Sequence, residues 1–254
     1  MELISDVLIK NGLLFAFVIV GAMMWISYYA SHHLTAGRLH GSAVAIILGL
    51  VLAYVGGVMT GGQKGLADIE LFAGMGIMGG AMLRDFAIVS TAYGVDLGLI
   101  RKAGVTGVVS LVLGIVISFI VGGVIALMFG YSDAISMTTL GAGAATYIVG
   151  PVTGTALGAS SEVIALSVAA GLIKSVMVMI GTPFIAPLIG LNNPKTAMAY
   201  GGLMGTTSGV AGGLAATDKR LVPYGAMTAT FYTGLGCLFG PSLMYFMFRA
   251  IMGG

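Results

Sequence analysis

The residue in this sequence with the most chemistry to explain is Lys174. It stands in GLIKSVMVM, near the centre of an apolar stretch. An ammonium at the middle of a bilayer-spanning helix costs about 2.5–3.5 kcal/mol on insertion scales, so it must face protein or water. It lies ten residues or more from either end of its stretch, which strains the reach of a snorkelling lysine stem. Such a charge suits an anionic ligand or a buried ion pair. Arg84 and Asp85, in AMLRDFAIV, are two further ionisable residues at depth. Neighbours on a helix do not face each other, so Arg84 needs a partner on another segment, an anion, or a short reach to the nearby membrane surface.

Two stretches share the pattern G-x-x-[ST]-G-x-A-x-G: GPVTGTALG at 150–158 and GTTSGVAGG at 205–213, fifty-five residues apart. Each precedes a long span carrying a Gly/Pro break, Gly181-Thr-Pro183 and Gly240-Pro241. Hydrocarbon offers no hydrogen bonds, so broken backbone is tolerated there only if protein covers it or it lines a wet cavity. Free N–H groups at a helix start favour a carboxylate. Free carbonyls and hydroxyls favour a hard cation such as Na⁺. Thr153, Gly154, Thr155, Ser208 and Gly209 are therefore candidate substrate-binding residues beside Lys174 and Arg84. Thr153, Thr206, Thr207 and Ser208 are candidate Na⁺ ligands. The competing use of such small residues is close helix packing.

The elements that must position these groups follow from composition. The chain has 254 residues, 58% hydrophobic and 8% charged, against about a quarter charged in a soluble domain; its mean hydropathy is +1.06. Charge-free runs exceed the roughly 20 residues needed to cross a bilayer as helix. Spans are expected at 12–31, 41–60, 70–93, 104–130, 163–190 and 223–250, with the two odd segments at 138–162 and 199–217. The expected fold is an all-α polytopic membrane protein. It has about six transmembrane helices plus two Gly-rich re-entrant or broken-helix segments arranged as an inverted repeat, since one full span separates the two copies. Residues 1–130 form an N-terminal four-helix region for scaffold and partner contacts. Residues 131–254 form the transport core.

If the odd segments dip and return, Arg38, Arg101, Lys102, Lys195, Lys219 and Arg220 gather on one side, against Lys10, Lys64 and Arg249 on the other. The positive-inside bias puts the richer side in the cytoplasm and both termini in the periplasm. The acidic first residues do not read as a cleaved signal. A net charge of +2 gives no case for nucleic acid, and the lipid bilayer is the expected surrounding. His32, His33 and His40 fit no zinc spacing, Cys237 stands alone, and no nucleotide loop or catalytic grouping is present. No enzyme activity and no tightly bound cofactor are expected. Glu162 and Asp218 close the two odd segments, at the water boundary or within a cation site.

The Gly-rich C-terminal half, from GAGAATYIVGPVTGTALGASSEV through GLIKSVMVMIGTPF to GLMGTTSGVAGGLAATDKRLVPYG, resembles the large subunit of the bacterial malonate:sodium symporter, MadM. The resemblance runs over the whole length. It implies a two-component carrier needing a smaller membrane subunit, MadL, and inward transport of malonate with Na⁺ in the inner membrane. It carries no functional residues with it. The residues themselves are equally compatible with another small organic anion coupled to H⁺, with a channel, or with a structural membrane subunit.

Overall fold

The computed structural model describes residues 2–36, 40–62, 65–78 and 97–252. Among them there is no strand. Among the described residues, five helical stretches are long and apolar enough to cross a membrane, beginning at Gly12, Gly41, Gly104, Ser161 and Lys219. The fold is thus an all-α polytopic membrane protein. Of the further span expected at 70–93, residues 79–93, with Arg84 and Asp85, lie outside the described residues. Contacts divide the chain into two compact units, Met1–Gly94 and Val95–Gly254.

In the first unit a short helix α1 (Glu2–Lys10) leads into α2 (Gly12–Leu34) and α3 (Gly41–Thr60). His40 opens α3 by accepting the Ser42 N–H at 3.4 Å. Gly61 closes it in the left-handed region, φ 63°. Gly56 lets the returning chain lie against α3, since a Cβ there would fall 2.9 Å from the Leu66 nitrogen. His33 stacks on Tyr29, and Tyr29 on Trp25. The described histidines therefore do packing and capping work.

The second unit begins with α4 (Leu97–Met128), which kinks at Gly104, φ 59°. A helix α5 (Ala134–Ala145), capped by Asp133, breaks at Thr146 and is followed by α6 (Val149–Leu157). Then come α7 (Ser161–Ile185), α8 (Pro194–Met204) and α9 (Thr207–Ala215). The chain finishes with α10 (Val222–Phe239), a π-turn over Gly240–Met244, and α11 (Tyr245–Met252). Pro241 has no N–H to continue the α-helical ladder, and the backbone widens there. The helix α4, grouped by sequence with the N-terminal region, packs here: Gly122 lies on Gly141 of α5 and Gly114 on Leu203 of α8.

Both odd segments turn back instead of crossing. In the first, Gly154 faces Thr139 and Gly150 faces Gly143, so α5 and α6 run antiparallel around a turn at Thr146. The outer ends of this hairpin lie by the N-terminus of α7, where the Tyr131 hydroxyl reaches Glu162. In the second, Gly209 lies on Ser175 and Gly213 on Thr182, so α9 runs alongside α7 toward its C-terminal end. Arm α8 comes from that same end, with the Tyr200 hydroxyl 2.8 Å from Thr182 Oγ1. The arms α8 and α9 are splayed by α10, whose Gly225 sits between Leu214 and the Ala197 carbonyl. The hairpins thus enter from opposite ends of α7. Their tips stop at its middle, Thr146–Tyr147 beside Gly171 and Thr206 beside Ser175.

The repeat has a register that the shared motif misplaces. Asp133 and Asn193 cap the entering arms. Thr146 Oγ1 accepts the N–H of Ile148 and Val149 at the start of α6, and Thr206 Oγ1 accepts that of Gly209. Both pairs are sixty residues apart. The motif copies, fifty-five apart, therefore fall on different parts of the two hairpins: the first inside the return arm, the second across the tip.

Candidate functional site

The two hairpin tips meet around Lys174. Its position in the middle of α7 puts the ammonium at half depth, and its stem leads Nζ toward α4 and α5. There Nζ donates to the Ala145 carbonyl at 2.9 Å and to Ser118 Oγ at 3.1 Å. The ring of Tyr232 on α10 lies 5.4 Å from Nζ, within cation–π range. No carboxylate pairs with Lys174 among the described residues. A carbonyl, a hydroxyl and a ring face hold the ammonium without neutralising its charge, so it can still attract an anion.

Tyr232 ties the parts together. It is fully buried, and its hydroxyl donates to the Gly114 carbonyl of α4 at 3.0 Å. Its ring packs on Gly205, the left-handed residue that ends α8 at φ 74°. A side chain at Gly205 would collide with that ring as well as strain the backbone. One tyrosine therefore touches α4, the second hairpin tip and the space beneath the Lys174 ammonium.

A hydroxyl cluster occupies the next position on α7. Ser175 Oγ is hydrogen-bonded to Thr206 Oγ1 and lies 3.1 Å from Ser208 Oγ; Ser175 and Thr206 are fully buried. The cluster sits at the N-terminus of α9. Thr206 satisfies the Gly209 N–H, which leaves those of Thr207 and Ser208 without an intrahelical acceptor. Helix starts carry partial positive charge. An anion finds donors here from both backbone and side chains.

A cavity of about 720 Å³ opens beside Lys174 between α4 and α7. Its polar lining comes from Lys174, Ser118, Thr182 and Tyr200, and Ile117 and Met177 are among its apolar walls. It is large enough for a small solute.

The sequence candidates separate in this geometry. Lys174, Thr206, Ser208 and Gly209 come together at the centre, with Thr207 half-buried at the α9 start. Thr153, Gly154 and Thr155 lie along the return arm of the first hairpin. Thr155 is exposed, and Gly154 is packed on Thr139 and Ile164. Thr153 is buried against Gly240, its hydroxyl without a hydrogen-bond partner. Arg84 lies outside the described residues. Glu162 and Asp218 mark the two ends of the unit: the Tyr131 hydroxyl donates to Glu162 at 3.3 Å, and Asp218 pairs with Arg220 at 2.9 Å. The hydrogen bonds from Arg220 hold the Asp218 carboxyl below the usual carboxylate range. No group of three His, Cys, Asp or Glu that could hold a metal occurs among the described residues.

The family described as the malonate/sodium symporter MadM subunit matches residues 4–252, nearly the whole chain. This chain belongs to that family. No curated protein and no solved structure matches it. Half-helices whose tips stop at the middle of a spanning helix recur among secondary transporters. Three central residues escape sequence reasoning: Ser118, Ser175 and Tyr232. Each is an ordinary type inside an apolar run, and only the folding of α4, α7 and α10 around the tips brings them to Lys174. For Ser175 one signal existed, its place directly after that lysine.

Proposed function

We propose that this chain is the large membrane subunit of a secondary carrier that brings malonate into the cytoplasm with Na⁺. One malonate carboxylate binds the Lys174 ammonium. The other binds the α9 start, where the Ser208 hydroxyl and the N–H groups of Thr207 and Ser208 donate to it, while Ser175 and Thr206 form the hydrogen-bonded chain behind Ser208. These hydroxyls stand at a helix N-terminus, where partial positive charge opposes a sodium ion. The cation role expected of Thr206, Thr207 and Ser208 therefore passes to the anion.

The observation that carries this reading is the uncompensated Lys174 ammonium at half depth, between two hairpin tips entering from opposite ends. Alternating access follows if each hairpin in turn parts from α7, opening the same site to one face and then the other. Cation charge offsets that of the dianion, so the loaded site crosses at lower electrostatic cost than malonate alone. The Lys/Arg bias places the Lys195 and Lys219 connections in the cytoplasm of a bacterial inner-membrane protein, with both termini periplasmic. MadL, the small subunit implied by the resemblance, is the expected partner.

Reconstitution in liposomes with and without MadL tests the reading. An imposed inward Na⁺ gradient should drive malonate above its equilibrium level. Uptake that follows malonate's own gradient and ignores Na⁺ would mean a channel, whereas coupling to H⁺ alone would move the chain to another class of symporter.

A further inference from the structure

The surroundings of the Lys174 ammonium are those of a cation site. The Ala145 carbonyl is the last of α5, so it lies at the end of a helix where partial negative charge gathers and where carbonyls lack intrahelical donors. Ser118 Oγ adds a second hard oxygen. The Tyr232 ring face closes a third side. The charge that fills this cage is tethered by a flexible four-carbon stem, and both Ser118 and Lys174 line the 720 Å³ cavity. The cage therefore borders that cavity, and the stem of Lys174 is flexible enough for its ammonium to move within it.

The opposite electrostatic pole lies one residue along α7. Ser175 joins the α9 N-terminus, which favours an anion. Lys174 thus stands between a cage that attracts cations and a cluster that attracts carboxylates. It has one ammonium for both.

We propose that the cage around Ser118 Oγ and the Ala145 carbonyl is the coupling-cation site: Na⁺ takes the place of the ammonium there and frees Lys174 to bind the substrate carboxylate. The proposal rests on the symport reading above and gives it a mechanism. Without Na⁺, the ammonium is satisfied by the cage, and a dianion must pull it away from the Ala145 carbonyl. With Na⁺ in the cage, repulsion between the two cations drives Lys174 toward the carboxylate. One Na⁺ and one ammonium then balance the two negative charges of malonate. Linkage makes the effect reciprocal, so malonate must tighten Na⁺ by the factor by which Na⁺ tightens malonate.

Calorimetric Na⁺ titration tests this on the protein purified from its own membranes with any accompanying subunit, ionic strength held with choline chloride. In the wild type, saturating malonate should tighten Na⁺ by about tenfold, within the usual range of coupled sites. Lys174→Met removes the tethered competitor while keeping the stem's bulk. Its Na⁺ affinity without malonate should rise to at least the level that the wild type reaches with malonate. Ser118→Ala removes one cage oxygen and should weaken Na⁺ several-fold in both conditions. If Lys174→Met binds Na⁺ no more tightly than the wild type, or Ser118→Ala leaves Na⁺ affinity unchanged, the cage is not the Na⁺ site. Either result could occur while wild-type malonate and Na⁺ still promote each other's binding, which would leave the symport reading intact. Wild-type protein in which neither ligand alters the other would overturn both.

Discussion

At the scale of single residues, Lys174 is the side chain whose loss should be felt most. Truncating one member of a desolvated charge pair costs about 2–5 kcal/mol, so Lys174→Ala should weaken malonate by about 30-fold or more at fixed Na⁺. Lys174→Arg keeps the charge, but a planar fork does not replace a compact ammonium on a flexible stem; it should recover only a small part of the affinity. Ser208→Ala removes one neutral donor and should cost about 1 kcal/mol. Equilibrium binding of labelled malonate reads all three. Unchanged affinity in Lys174→Ala would move the anion site elsewhere, with Arg84 the first residue to examine. The lysine was legible in the sequence because a charge inside an apolar run has no bland explanation at that depth. Ser118, Ser175 and Tyr232 were not, because serine and tyrosine are ordinary in a membrane helix until a partner is known.

The hairpins are the functional elements, and glycine sets how closely they approach α7. A Cβ at Gly209 would fall 2.8 Å from the Ser175 carbonyl, so Gly209→Leu must push α9 away from α7 and open the hydroxyl cluster. A Cβ at Gly154 would fall 2.7 Å from Thr139 Cγ2 and 2.8 Å from Ile164, so Gly154→Leu must spread the arms of the first hairpin. Overpacking of this kind costs about 1–3 kcal/mol. Both variants should insert and elute like the wild type but lose malonate uptake. A Cβ at Gly234 would meet nothing within 4 Å, so Gly234→Ala is the control expected to transport normally. Normal uptake in both leucine variants would reduce these segments to packing. The breakers announced the hairpins, because Pro151 and clustered hydroxyls have little place in an uninterrupted span. Their register was hidden. Repeated glycines and alanines aligned the copies fifty-five residues apart, while the caps that define the arms, Asp133 with Asn193 and Thr146 with Thr206, stand sixty apart. Glycine recurs wherever helices touch, whereas a cap occurs once per helix, so caps were the sounder ruler.

For the whole molecule, the decisive property is that the two hairpins enter from opposite faces, since alternating access needs a gate on each side of one site. The connections give four positions that fix this. Ser132 precedes the first hairpin and Ala159 follows it; Lys195 stands at the start of the second and Lys219 just beyond it. In a hairpin fold, Ser132 and Ala159 share one face, and Lys195 and Lys219 share the other. Were the odd segments full crossings, the members of each pair would lie on opposite faces. With the half-buried Cys237 first replaced by Ala, single variants Ser132→Cys, Ala159→Cys, Lys195→Cys and Lys219→Cys can be labelled with a membrane-impermeant maleimide. In intact cells the reagent should modify the first two. The last two should react only in inverted vesicles, because the lysine-rich connections belong inside. A reversed pattern would keep the hairpins but invert the carrier. Splitting of either pair would remove the two-gate architecture, and with it the route by which a site around Lys174 could face each side in turn.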